Sequence, residues 1–304
     1  MRSLRLAIAS FIFGLAGCSD TQTGALMPSA NDSSSQAKVL AWLEKYPTAI
    51  WLNYNNTGSS VREYVREQME SFSSKHSNFT PILVIYAIPD RDVGQYSAGG
   101  APTRDKYLDY VRGVAEGTGS RPAIVILEPD SLGLLERMAS SEERIRTLRN
   151  AVAILAEHQN IRAYVDGTHS AWVPAPEMAE RLRKIGIEKV RGVALNVSNF
   201  QPRESEIRYC EQLAGYIPGL HCVIDTSRNG ARVDTTSGEY WCNPRDAVLG
   251  ELPTTDTGYP LVDAYLWVKR PQDSDGACNG GPEAGQIFPE QAMRLVTRSK
   301  HWRE

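Results

Sequence analysis

The sequence has no excess of basic residues: 33 lysines and arginines stand against 36 aspartates and glutamates, a net charge of −3. A nucleic-acid partner, which calls for a basic face, is not indicated. No Cys-x-x-Cys occurs and the five histidines are not at ligand spacing, so a zinc site lacks its usual pattern and no metal or cofactor is expected. No glycine-rich phosphate loop follows any strand-like run, and no internal repeat is present. The longest apolar stretch lies at the N-terminus and is too short to span a membrane comfortably.

What is present fits a soluble globular domain. Hydrophobic residues at 41% and aromatics at 8% of 304 residues supply a full core. The opening "MRSLRLAIASFIFGLAGC" places arginines ahead of an apolar run and then small residues, the order of a secretory signal peptide. Its ending "LAGC" resembles the lipobox of bacterial lipoproteins. Residues 1–17 are read as the signal peptide, and Cys18 as a lipidated new N-terminus. Residues 18–38, polar and rich in Ser and Asn, are read as a flexible tether. Residues 39–304 form one folded domain. The expected location is exported, lipid-anchored at the bacterial cell envelope or cell surface, or otherwise secreted. Four further cysteines, Cys210, Cys222, Cys242 and Cys278, form an even set suited to an oxidising compartment and allow three pairings.

Seven apolar, β-branched runs read as strands: 49–54, 82–88, 123–128, 161–166, 192–197, 221–226 and 261–268. Most are continuous rather than alternating, as in parallel strands covered on both faces. Helical patterns lie between them. "SEERIRTLRNAVAILAEHQN" opens with an acidic first turn after Ser, and "PEMAERLRKIG" starts on Pro and stops on Gly. Alternating strands and helices without a phosphate loop predict a single-domain α/β fold, a distorted parallel barrel of about seven strands.

In such barrels the chemistry sits at the C-terminal strand tips. The run "AIVILEPDSLG" drives straight into Glu128 and Asp130. The other tips deliver Asp90 and Asp92; Asp166, His169 and Trp172; Asn196 and Asn199; Asp225, Arg228 and Asn229; Lys269, Asp273 and Asp275. An Asp after a strand also serves as a helix N-cap, and Asp130 and Asp166 each fit that reading alone. Five strands together do not, because caps do not call for Trp, His and Lys beside them. Trp51, Trp172, Trp241 and Trp267 fall near strand ends, where an indole face suits a sugar ring. Glycoside hydrolysis needs two carboxyl groups, one kept protonated by a charged neighbour. Asp92 and Asp130 would stand on adjacent tips, roughly 5 to 10 Å apart.

These residues resemble a known family. "VIYAIPDRDVGQYSAGGA" and "AIVILEPDSLG" look like the two signatures of glycoside hydrolase family 6, the inverting β-1,4-glucanases. "YVDGTHSAW", "NVSNF", "DTSRNG", "YWCNP" and "LWVKRPQDSDG" follow in order. The resemblance covers about residues 40–300 and implies a distorted barrel of about seven strands. It implies Asp130 as general acid and Asp92 as the aspartate that raises its pKa and positions water. Asp275 would be the base, directly or through a water chain. Tyr86 would press on the distorted sugar. Trp51 would stack on the non-reducing side and Trp172 just beyond the cleaved bond. Asp166, His169, Asn199, Trp241, Lys269 and Asp273 would bind or shape the substrate. The family disulfide matches Cys242–Cys278, leaving Cys210–Cys222 as a local pair.

Departures are visible. A family cysteine after the Arg-Asp pair is Val93 here, and its partner would fall near Met138, so one disulfide is lost as a unit. Gln272 and Asp273 replace Gly and Glu, and Asp is one methylene shorter. A catalytic region of about 265 residues leaves little room for tunnel-forming insertions. The expected activity is therefore an endo-β-1,4-glucanase with an open cleft, acting as a monomer on soluble or amorphous chains. Rival expectations are a non-catalytic glucan-binding surface lipoprotein, cellobiohydrolase-type exo cleavage, and hydrolysis of mixed-linkage glucan. The presence of Asp92, Asp130 and Asp275 together speaks against the first.

Overall fold

The computed structural model describes residues 33–54, 60–236 and 239–303. The signal-peptide and lipidation expectations, including Cys18, lie outside the described residues. Seven strands, β1 Ile50–Leu52, β2 Ile82–Ile85, β3 Ala123–Leu127, β4 Ile161–Asp166, β5 Gly192–Leu195, β6 His221–Asp225 and β7 Val262–Leu266, form one parallel sheet in chain order. The sheet curls into a distorted half-barrel. Its ends, β1 and β7, meet through one backbone bond, Ala49 N to the Trp267 carbonyl at 3.1 Å, and through the Trp51 indole N–H donating to the Val268 carbonyl at 2.9 Å.

Alternation along each strand sorts the apolar residues into two cores. In β2, Ile82 and Val84 point inward to meet Ile126, Tyr164, Val223 and Leu266, while Leu83 and Ile85 point outward to the helices. The helices α2 Val61–Lys75, α3 Arg104–Thr118, α4 Ser141–Ala156, α5 Ala175–Ile185 and α6 Arg203–Tyr216 follow the strands in turn. Their ends obey local chemistry. Ser60, Thr103 and Ser140 cap with side chains that accept from the third residue on, and α5 stops at left-handed Gly186.

Two helices escaped the sequence reading. α1, Ser33–Leu43, begins inside the stretch assigned to the tether, and α7, Pro289–Thr297, lies near the C-terminus. They pack together around Trp267, which is fully buried, with Val39, Leu43, Ala292, Met293 and Val296. Trp267 donates to the Glu251 carbonyl at 2.9 Å. It is thus a core residue, although it was read near a strand end with the stacking tryptophans. Six of the strands also end sooner than their apolar runs. At two of these ends, Glu128 (φ 51°) and Asn196 (φ 61°), the chain turns left-handed and leaves the ladder.

Both disulfides form as the resemblance implied. Cys210–Cys222 ties α6 to β6, and Cys242–Cys278 ties the loop after β6 to the loop after β7, each with Cα atoms 6.2 Å apart.

Candidate active site

The strand tips open into a cleft of about 1020 Å³. Eleven of the residues singled out from the sequence line it: Trp51, Tyr86, Asp92, Asp130, His169, Trp172, Asn199, Trp241, Lys269, Asp273 and Asp275. Asp166 does not. It lies buried beneath the cleft, and its Oδ2 accepts the backbone N–H groups of Asp130 (3.0 Å) and Thr168 (3.1 Å). Its carboxylate serves the chain rather than a ligand.

Two other tip carboxyls behave the same way. Glu128 is 1% exposed and accepts from Ala87 N at 3.0 Å, so a β3 side chain holds the exit of β2. Asp225 accepts from Ser198 N, Ser227 N and Lys269 N, each at 3.0 Å, tying the exits of β5 and β7 to β6. The loops so held carry the cleft residues, and their backbones are left-handed at Asp92 (φ 61°), Asp130 (φ 69°) and Ser198 (φ 58°). Non-glycine residues hold such conformations where the surroundings over-determine them, often at functional sites.

The carboxyls facing the cleft have unlike environments. Asp275 receives both Arg228 Nη1 contacts (2.8 and 2.9 Å), Lys269 Nζ at 3.2 Å and Asn243 N at 3.0 Å. Burial opposes its ionisation, but the Arg228 and Lys269 charges outweigh that and hold it below the usual carboxylate range. Asp92 accepts from Ser97 N at 2.8 Å. Burial raises its pKa, against the pull of that bond and of Arg91 and Arg137. Among the described residues no cation is in ion-pair contact with Asp130. Burial first, then the charges of Asp92 and Asp275, push it up to about 7, with Lys269 pulling the other way. Three aspartates at one cleft thus divide into one held ionised and one held protonated, with Asp92 between them.

The aromatic walls are also fixed by specific contacts. The Trp51 indole spends its N–H on Val268 and meets Tyr86 edge-on, with centroids 5.4 Å apart. Arg91, which the motif reading passed over, sits 4.5 Å above the Tyr86 ring and donates to the Tyr86 carbonyl. Trp172 lies against Gly133, where a Cβ would come within 2.7 Å of the indole. Across the cleft Tyr96 packs on Gly276 and lies 5.9 Å from Trp241. His169 is buried beside Trp172, and burial lowers its pKa to about 4, so it is neutral. Its Nδ1 accepts from Ala171 N, which leaves the proton on Nε2. Asp273 is held by Arg270 through Oδ2 at 2.7 Å, and its buried Oδ1 has no hydrogen-bond partner among the described residues. The glycines and arginines are legible in the motifs as letters, but nothing in their spacing says which carboxylate or ring each one meets.

Keeping Asp130 in this setting has a cost with a definite sign. Its folded carboxyl keeps a proton up to about 7, whereas an unperturbed Asp releases it near 3.8. Between those values the folded chain binds more protons than the unfolded chain, so stability falls as pH rises through the window. Asp130→Asn removes this cost. The variant should be more stable than the wild type near pH 8, on the order of 1–3 kcal/mol, and the gap should close near pH 4. Urea unfolding at both pH values checks this; a variant no more stable near pH 8 would show that the ionised side chain is accommodated without penalty.

Comparison with known proteins follows the same lines. The model of the glycosyl hydrolases family 6 matches residues 17–299. Endoglucanase A of Cellulomonas fimi is 37% identical over 274 residues, covering 90% of this chain and 58% of that protein. Endoglucanase A of Thermobispora bispora is 39% identical over 258 residues, covering 82% and 54%. The chain therefore spans little more than half the length of these relatives. The solved endoglucanase Cel6 from Mycobacterium tuberculosis, in complex with methyl-cellobiosyl-4-deoxy-4-thio-β-D-cellobioside, superposes with a TM-score of 0.82 at 37% identity, over 90% of this chain and 94% of that one. By family model, relatives and fold alike, this chain belongs to the glycosyl hydrolases family 6.

Proposed function

We propose that the protein hydrolyses internal β-1,4-glucosidic bonds of cellulose or related β-glucans with inversion of anomeric configuration. The observation that carries this reading is a carboxyl, Asp130, pushed up to about 7 in a cleft walled by Trp51 and Trp172. The relatives' shared name of endoglucanase, and the thio-cello-oligosaccharide held by the solved one, support the substrate class.

The glucan lies across the strand tips, stacked on the two indoles, with Tyr86 against the ring that is distorted. Asp130 gives its proton to the leaving oxygen. Water attacks from the opposite face, which needs carboxyls roughly 6.5–9.5 Å apart. The charges favour Asp92 as the group that takes the water's proton, through a water chain. Asp275 has both oxygens engaged by Arg228, Lys269 and Asn243, and its proton affinity is depressed. Asp92 has a raised proton affinity and makes one short hydrogen bond. Asp275 then acts as a fixed negative charge, raising Asp130 and anchoring Lys269. His169 offers its Nε2–H to a sugar hydroxyl, and Asp273, whose Oδ1 is buried, shapes the cleft wall through its pair with Arg270. Asp166 and Glu128 act as positioning residues for Asp130 and Asp92. We also propose export with a lipid anchor on Cys18, which the two disulfides and the N-terminal sequence support.

Activity should fall as pH rises past about 7, where Asp130 loses its proton. Asp130→Asn should lower kcat on cellotetraose by a factor of about 100 to 10,000 with an unchanged circular dichroism spectrum. In Asp92→Asn the remaining alkaline limb should move to lower pH, since one of the charges raising Asp130 is gone; a limb that stays put would sink the assignment. Proton NMR during cellotetraose hydrolysis should show the α-anomer first, and the β-anomer appearing first would rule out inversion. Cys18→Ala should shift the protein from the membrane fraction to the soluble exported fraction, and an unchanged distribution would count against the anchor.

A further inference from the structure

The cleft continues past Trp51. Its lining includes one face of α2, where Tyr64, Gln68, Ser71 and Lys75 follow at helical spacing, and also takes in Phe72, His76, Arg270 and Gln286. Tyr64 to Lys75 is 11 residues, about 16 Å along a helix axis and room for roughly three sugar rings.

The face itself is chemically distinct. Elsewhere on α2 the exposed residues of the first three turns, Arg62, Glu63, Arg66, Glu67 and Glu70, are charged, and Ser73 and Ser74 of the last turn are not. The groove face carries the Tyr64 phenol, the Gln68 amide, the Ser71 hydroxyl and the Phe72 ring, with Lys75 and the His76 imidazole at its far end. Charged residues are the ordinary dress of a solvated helix face. Uncharged donors and acceptors beside an aromatic ring suit a neutral saccharide. The Gln68 amide and the Ser71 hydroxyl have no hydrogen-bond partner among the described residues.

Direction follows from topology. α2 starts at the rim, after β1, and returns to the foot of the barrel, before β2. Thr48, which precedes β1, and Lys75, the last residue of α2, line the same groove. The groove therefore descends the barrel wall, crosswise to the rim path between Trp51 and Trp172. A β-1,4-glucan is a straight, stiff ribbon and does not make that turn. A single β-1,3 linkage puts a bend into such a ribbon.

We propose that the α2 groove binds the continuation of the glucan on its non-reducing side, and that it takes a chain bent at the rim by a β-1,3 linkage. Mixed β-1,3/1,4-glucan is then the polysaccharide for which the extended site is shaped. This rests on the hydrolytic reading above, which places Trp51 on the non-reducing side.

The test is the double variant Gln68→Leu/Lys75→Met, which keeps bulk and removes the polar groups. Three substrates are compared: cellotetraose, cellohexaose, and a hexasaccharide with one β-1,3 bond placed beyond the Trp51 subsite. For the bent hexasaccharide kcat/KM should fall about tenfold, the loss of two ordinary hydrogen bonds. Cellotetraose and cellohexaose should each stay within about twofold of wild type, because neither enters the groove. An equal loss on cellotetraose, or no loss on any substrate, overturns the groove. An equal loss on cellohexaose and the bent hexasaccharide overturns the bend. If the wild type cleaves none of the three, the hydrolytic reading fails, and calorimetric Kd values for the same ligands decide the groove by the same ratios.

Discussion

A carboxylate at a strand tip can bind either the chain or a ligand, and this fold depends on three that bind the chain. Parallel strands end in N–H groups that the ladder no longer satisfies once the backbone turns out of the sheet. Glu128, Asp166 and Asp225 supply the missing acceptors, each across a strand boundary, to Ala87, to Asp130, and to Ser198 and Lys269. An orphaned buried N–H costs about 1–3 kcal/mol. A run of such bonds is enough to hold left-handed residues that would otherwise relax. The rim loops are bonded to neighbouring strands as well as to themselves.

Placement fixed in this way lets identical side chains do opposite things. Asp275 and Asp130 face one cleft, yet Arg228 and Lys269 reach only the first at ion-pair distance. Arg228 is fully buried, with its charge matched by Asp275 and its guanidinium 4.3 Å over the Phe200 ring. A buried cation of this kind is tolerable only with its partner in place. This ion pair therefore holds Asp275 ionised, while burial first and then the charges of Asp92 and Asp275 keep the proton on Asp130. The arrangement gives up stability at neutral pH to hold Asp130 protonated.

The sugar platforms obey the same economy of contacts. The Trp51 N–H that closes the β1–β7 seam also fixes the plane of the indole. Gly133 leaves the space that Trp172 occupies, and Gly276 does the same for Tyr96. Edges and backbones are consumed in holding the rings, which leaves their faces for the ligand.

Much of this was written in the sequence. Continuous β-branched runs separated by capped helices sufficed for seven parallel strands, and carboxylates after those runs sufficed to locate the rim, because strand period and capping are local rules. The α1–α7 pair was missed although apolar residues mark both helices; α1 starts in a serine-rich stretch, α7 spans only nine residues, and the two pack together around Trp267. Asp166 looked like a substrate ligand from its motif and proved to hold the backbone of Asp130. The sequence by itself determined which groups arrive at the strand tips. Only the tertiary structure decided which of them face solvent, which meet Arg228 and which bond the neighbouring loop, because those outcomes turn on distances between strands that no local pattern encodes.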